Sequence, residues 1–199
     1  MRRLSSALTI LMLAAGPALA SQEAGDTLPF RAHQWAFLFT GGSQFLGLGG
    51  LHFSAPNRAL IVNLSIDANH SHQSFSPSPG TTLSSSNTTV AFTARIGRRF
   101  YQAVRHDVAA YQTLGILGGA NRSCGAPFGG PNACSVAANA GIFGELGAQY
   151  FLTSRLSIGG QVTASLSGQY LRDSAPGGDR AWFISVNGGA VSFGGGIYF

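Results

Sequence analysis

The segment Trp182 to Phe199, WFISVNGGAVSFGGGIYF, alternates large apolar side chains with very small ones. Read by parity, Phe183, Val191, Phe193, Ile197 and Phe199 fall on one face, and Ala190, Ser192, Gly194, Gly196 and Tyr198 on the other. Successive side chains of a strand point to opposite sides, so this period of two predicts a strand.

Seven more segments carry strand signals separated by turn residues, at 34–42, 45–53, 59–68, 88–100, 107–117, 137–151 and 155–169. The seventh alternates most cleanly, with Leu156, Ile158, Val162, Ala164, Leu166 and Tyr170 opposite Ser157, Gln161, Thr163, Ser165, Ser167 and Gln169. The sixth repeats the pattern, with Ile142, Leu146, Ala148 and Tyr150 opposite Asn139, Gly141, Glu145 and Gln149. Connection lengths alternate too: links at 54–58, 101–106 and 152–154 are short, and those at 69–87, 118–136 and 170–181 are long. The short link at 42–44 is the exception.

Alternation alone fits a soluble eight-stranded barrel of lipocalin type equally well. Charge separates the two. A solvated surface carries about 25–35% Lys, Arg, Asp and Glu, whereas this chain has 10% and no lysine. Its polar faces hold mainly Gly, Ser, Thr, Asn and Gln, which suit a narrow interior, so the apolar faces are expected to meet lipid. A closed barrel also leaves no unpaired backbone in hydrocarbon. Trp35, Phe100, Tyr150 and Phe199 would form an aromatic girdle at the periplasmic rim, and Tyr170 and Phe183 one at the outer rim.

Residues 1–20 read as a secretory signal, with Arg2 and Arg3, an apolar core from Leu8 to Ala15, and the small-residue site Ala18-Leu19-Ala20. Residues 21–33 would be a periplasmic tail and 34–199 the barrel. Without Arg2 and Arg3, ten of the twelve basic residues remain against seven acidic ones, a net charge near +3 that implies no nucleic-acid partner. No apolar run approaches the roughly 20 residues of a membrane helix. Cys124 and Cys134 flank a Gly- and Pro-rich segment and are expected to form a disulfide stapling one loop. Zinc would need further ligands nearby.

Counted from the periplasmic ends, Arg95 on the fourth strand and Glu145 on the sixth lie at similar heights on the inward parity. Asn63, Tyr111, Gln161 and Ser192 reach about the same level. An eight-stranded barrel is only just wide enough for its own side chains, and a lone charge there is costly unless paired. An Arg95–Glu145 ion pair inside a polar plug, with no open aqueous channel, is the expectation. The alternative is that each charge meets separate waters or amides.

The cluster Asn69-His70-Ser71-His72-Gln73-Ser74 is the one candidate for catalysis, because a histidine can activate a nearby serine when an acid orients it. His72-Gln73-Ser74 resembles the start of the His-x-Ser-Asn motif of lipid A deacylases, but Phe75 stands where that family has Asn. His70 and His72, one residue apart on an extended chain, project to the same side and could instead share a metal with Asp67. Arg98, Arg99 and Arg105 flank the turn after the fourth strand and read as headgroup anchors. Arg122, Arg172 and Arg180 are scattered over the outer loops, where they could face lipopolysaccharide phosphates.

The strand pattern and the closing aromatic Phe199 together resemble the small eight-stranded outer-membrane proteins of the OmpA membrane-domain and OmpX type. The likeness covers nearly all of 34–199. It implies an all-β, antiparallel up-and-down transmembrane barrel in the outer membrane of a Gram-negative bacterium, inserted by the barrel-assembly machinery acting on the last strand. A structural or surface-interaction role follows, with no catalytic, cofactor or metal site and with outer-membrane lipids and lipopolysaccharide as surroundings. The outer loops at 69–87 and 118–136 would carry any extracellular contact. A lipid A-type hydrolase using His72 and Ser74, or a small-solute channel, are the alternatives.

Overall fold

The period-two segments fold as eight antiparallel strands: β1 Trp35–Gly41, β2 Phe45–Ala55, β3 Arg58–Ser78, β4 Thr81–Arg105, β5 Val108–Ala126, β6 Ala133–Thr153, β7 Leu156–Asp173 and β8 Arg180–Tyr198. Each pairs with its sequence neighbours, and β1 pairs with β8 to close the barrel. Reciprocal backbone bonds between Trp35 and Phe199, at 3.2 and 3.0 Å, fasten that seam at its periplasmic end. This computed structural model describes residues 28–42, 45–78, 81–105, 107–126, 133–173 and 180–199. The signal at 1–20 and the loop tips at 127–132 and 174–179 lie outside the described residues.

The outer wall is apolar. Leu64, Ile66, Ile96, Leu114, Ile142, Leu146 and Val162 are all exposed on the outward parity. Trp35, Tyr150 and Phe199 stand exposed at one end and Tyr170 at the other. In water such a surface would be untenable, since monomers rarely expose apolar patches beyond a few hundred Å².

Strands β3 to β7 run past their expected ends. The expected loop at 69–87 is mostly ladder, with pairs His70↔Thr88, Gln73↔Ser85 and Phe75↔Leu83. Likewise 118–136 continues as β5 and β6 up to the pair Gly125↔Ala133. Hydropathy alternates only where one face meets lipid, whereas strand pairing continues wherever each backbone has a partner. Ser, Thr and Asn therefore extend strands above the membrane band that look like loops in the sequence. By contrast β1 and β2 are short, so β8 above Phe193 and β3 beyond Asp67 each have only one neighbouring strand.

The parity of β8 does not hold throughout its length. Thr163 pairs with Ala190, but Ser165 pairs with Asn187, so β8 carries an extra residue there, next to Gly189 at φ 78°. A bulge of this kind transfers every later side chain to the opposite face. Phe183, expected with Val191 on the lipid face, opposes Gln169 on the inward parity instead. Trp182 takes the girdle place beside Tyr170, and Ile184 and Val186 complete the outward face.

Nor is the interior polar from end to end. Its periplasmic part is an apolar core of Phe53, Ile61, Leu51, Tyr101, Phe151 and Tyr198. The segment preceding β1, expected as a periplasmic tail, sends Phe30 into this mouth. Its ring lies 4.5 Å from those of Phe53 and Tyr101, and 5.4 and 5.5 Å from Phe151 and Tyr198. Offset and edge-on contacts at such separations are the favourable ones for aromatic rings. The polar level lies above this core.

Candidate functional site

Register explains how charges meet inside the barrel. Arg99 on β4 opposes Thr113 on β5, which opposes Glu145 on β6, which opposes Thr163 on β7. All four are on the inward parity and buried. Arg99 donates from Nε to Thr113 Oγ1 at 2.9 Å and from Nη2 to Glu145 Oε2 at 3.0 Å. Its guanidinium lies 3.9 Å from the centre of the Tyr111 ring, a cation–π contact in a dry setting.

Gln161 on β7 links the remaining groups. It donates from Nε2 to Glu145 Oε1 at 3.4 Å, and its Oε1 accepts from Tyr111 Oη at 2.9 Å and from Arg99 Nη2 at 3.4 Å. Tyr111 can reach Gln161 because the residue between them in the register is Gly147; a Cβ there would lie 2.5 Å from the Tyr111 hydroxyl. Arg95 approaches from the outer side, with Nη1 3.6 Å from Glu145 Oε1 and its guanidinium carbon 5.6 Å from the Phe143 ring centre. One carboxylate thus faces two guanidinium groups. The cavity left beside the network, bordered by Asn63, Tyr111, Gln161 and Ser192, is about 20 Å³, room for a single water.

The structure brings Arg95, Glu145, Gln161 and Tyr111 together, but its central residue is one the sequence reading placed elsewhere. Arg99, expected as a headgroup anchor, is only 2% exposed and lies inside. The reason is that β4 continues to Arg105, so Arg99 is well within the wall rather than at the turn. Its parity is that of Arg95 four residues earlier, a signal that extending the alternation would have caught. Arg98 alone of that adjacent pair faces outward.

Cys124 and Cys134 are disulfide-bonded. They are direct register partners, so the bond joins the paired ends of β5 and β6 below the tip at 127–132, which lies outside the described residues. His70, His72 and Ser74 also lie on a strand, β3, all exposed on the outward parity. His70 Nδ1 lies 2.9 Å from Thr88 Oγ1. Asp67 has the opposite parity to the two histidines, so the three do not converge on one metal, and among the described residues no cluster of three metal-ligating side chains exists.

An apolar wall turned outward, short turns at one rim, long hairpins at the other and a buried ion-pair network inside define an eight-stranded up-and-down β-barrel of the outer-membrane class. No family model matches the chain, and no curated protein sequence matches it. Among solved structures, it is similar to the outer membrane protein OprG from Pseudomonas aeruginosa, at 15% identity over 87% of this chain and 99% of that one, with a TM-score of 0.49. A major outer membrane protein from Thermus thermophilus gives 10% identity, coverage of 83% and 98%, and a TM-score of 0.46. The N-terminal β-barrel domain of Pseudomonas aeruginosa OprF gives 13%, 84% and 98%, and 0.38. The fold assignment rests on the strand pairing itself.

Proposed function

We propose that the chain is a non-conducting barrel of the Gram-negative outer membrane, with a structural or surface-interaction role and no enzymatic one. The observation that carries this reading is closure of the interior at two levels. Aromatic rings fill the periplasmic mouth, and above them Arg95, Arg99, Glu145, Gln161 and Tyr111 form a polar plug with space for one water. Such packing supports a barrel through which hydrated ions are not expected to pass.

Function then belongs to the surfaces. Outer-membrane lipid and lipopolysaccharide surround the wall, the barrel-assembly machinery inserts the chain by its strands, and any extracellular partner meets the β3–β4 and β5–β6 hairpins. Exposed connections on a rigid scaffold are where binding residues concentrate. Planar-bilayer recording tests the plug: purified protein is expected to give no stable conductance steps. Reproducible ion-selective steps from single barrels would overturn the reading.

A further inference from the structure

The three outer arginines, scattered in sequence, form one line in the folded chain. Arg122 on β5 opposes Val136 on β6, Val136 opposes Arg172 on β7, and Arg172 opposes Arg180 on β8. All three arginines are exposed on the outward parity. Two residues nearer the membrane centre, the same strands carry Tyr170 and Trp182 as direct partners. Two residues of strand span about 7 Å, so the arginines sit just beyond the outer aromatic girdle, where hydrocarbon gives way to headgroups.

Arg172 and Arg180 oppose each other directly, and like charges so placed repel. Among the side chains described, none of the three arginines takes part in an ion pair. Arg122 makes one weak contact, Nη2 to Cys134 Sγ at 3.9 Å. In the same row β4 presents Val90, so the positive charge is confined to the β5–β8 side. The backbone positions of Arg172 and Arg180 are about 5 Å apart and Arg122 stands two strands away, some 10 Å along the sheet, so the row offers planar N–H donors suited to phosphate oxygens.

From this placement we infer that Arg122, Arg172 and Arg180 form a binding site for the phosphate groups of lipid A, with its acyl chains lying down the wall over Tyr170 and Trp182. The inference rests on the membrane reading above and deepens it, turning a general lipopolysaccharide surrounding into a defined contact on one side of the barrel. Lipopolysaccharide is favoured over phospholipid because the row lies at the long-hairpin rim, which faces the outer leaflet.

The test is binding of lipid A to the full mature chain refolded in zwitterionic detergent, with the heat-dependent gel shift as the check of folding. Wild-type is expected to bind bisphosphorylated lipid A on the order of 100-fold more tightly than its dephosphorylated form, at roughly fivefold per arginine. R122Q/R172Q/R180Q should lose that preference, while R98Q at the opposite end of the wall keeps it. R172K/R180K retains charge without the planar fork and should fall between them; it also serves if the triple variant does not refold. Equal binding of both lipid forms by wild-type, or unchanged preference in the triple variant, overturns the proposal. The former is also the result expected if Asp173 and Asp179, whose side chains lie outside the described residues, neutralise the arginines. A wild-type chain that folds and inserts into bilayers yet ignores phosphate overturns this site alone; one that never inserts overturns the membrane reading as well.

Discussion

Arg99 and Glu145 lie two strands apart in one register row, and the arginine reaches across the strand between them to place Nη2 3.0 Å from Glu145 Oε2, with both side chains almost fully buried. Arg95 contacts the same carboxylate at 3.6 Å, but its side chain is 26% exposed. The two arginines therefore differ in what they lose with the carboxylate.

Removing the carboxylate should be costly. E145A leaves two guanidinium groups without a counter-charge, and breaking a buried pair typically costs about 3–5 kcal/mol. Urea unfolding in lipid vesicles is the measurement. R99Q should approach the same loss, and R95Q should cost distinctly less because water already screens that side chain. Equal effects of R95Q and R99Q would contradict the hierarchy.

Crowding at Gly147 makes the second prediction. An alanine there must displace the Tyr111 ring or the Gly160 carbonyl, 2.7 Å from the new Cβ. Overpacking of this kind costs about 1–3 kcal/mol. Gly188, whose Cβ would meet nothing within 4 Å, is the control, and G188A should be nearly neutral. Comparison of the two unfolding midpoints decides the matter.

The β8 bulge makes the third. Deleting Gly189 should restore strict alternation, turning Trp182, Ile184 and Val186 inward and Phe183 outward. Such a chain should fail to give the compact unheated band on gels. G189A keeps the register but places a Cβ at φ 78°, at a cost of about 1–2 kcal/mol. A deletion variant as stable as wild-type would refute the bulge.

Phe30 provides the fourth. F30A empties a site enclosed by Phe53, Tyr101, Phe151 and Tyr198, and loss of a buried phenyl ring costs about 3–5 kcal/mol. F30L, which keeps most of the volume, should recover much of that. Vesicle-based unfolding reads both.

The wall was legible in the sequence because lipid imposes a strict alternation, clearest at Leu156 to Tyr170. The features that escaped are those where the alternation stops carrying information. At Ala59-Leu60-Ile61-Val62 both faces are apolar, one against lipid and the other against the core around Phe30, so the run marks an apolar interior. In the upper hairpins both faces are polar, and Ser84 to Thr89 looks like a loop although it is paired throughout. The bulge shifts parity without altering composition, with Gly188-Gly189 as its sole trace. Parity alone brings Arg95 and Glu145 to one level, whereas the adjacent Arg98 makes Arg99 resemble part of a surface cluster.

The aromatic packing at the periplasmic mouth is a hydrophobic core of the sort that water-soluble proteins use, and its cohesion owes nothing to the surrounding acyl chains. The upper barrel, lined by small hydroxyl and amide groups, draws more of its shape from the bilayer around it. Transfer into micelles should accordingly affect the two halves unequally. Amide hydrogen exchange would stay slow around Phe53 and Tyr198 whatever amphiphile surrounds the protein, and quicken toward Ser185 as the micelle becomes thinner.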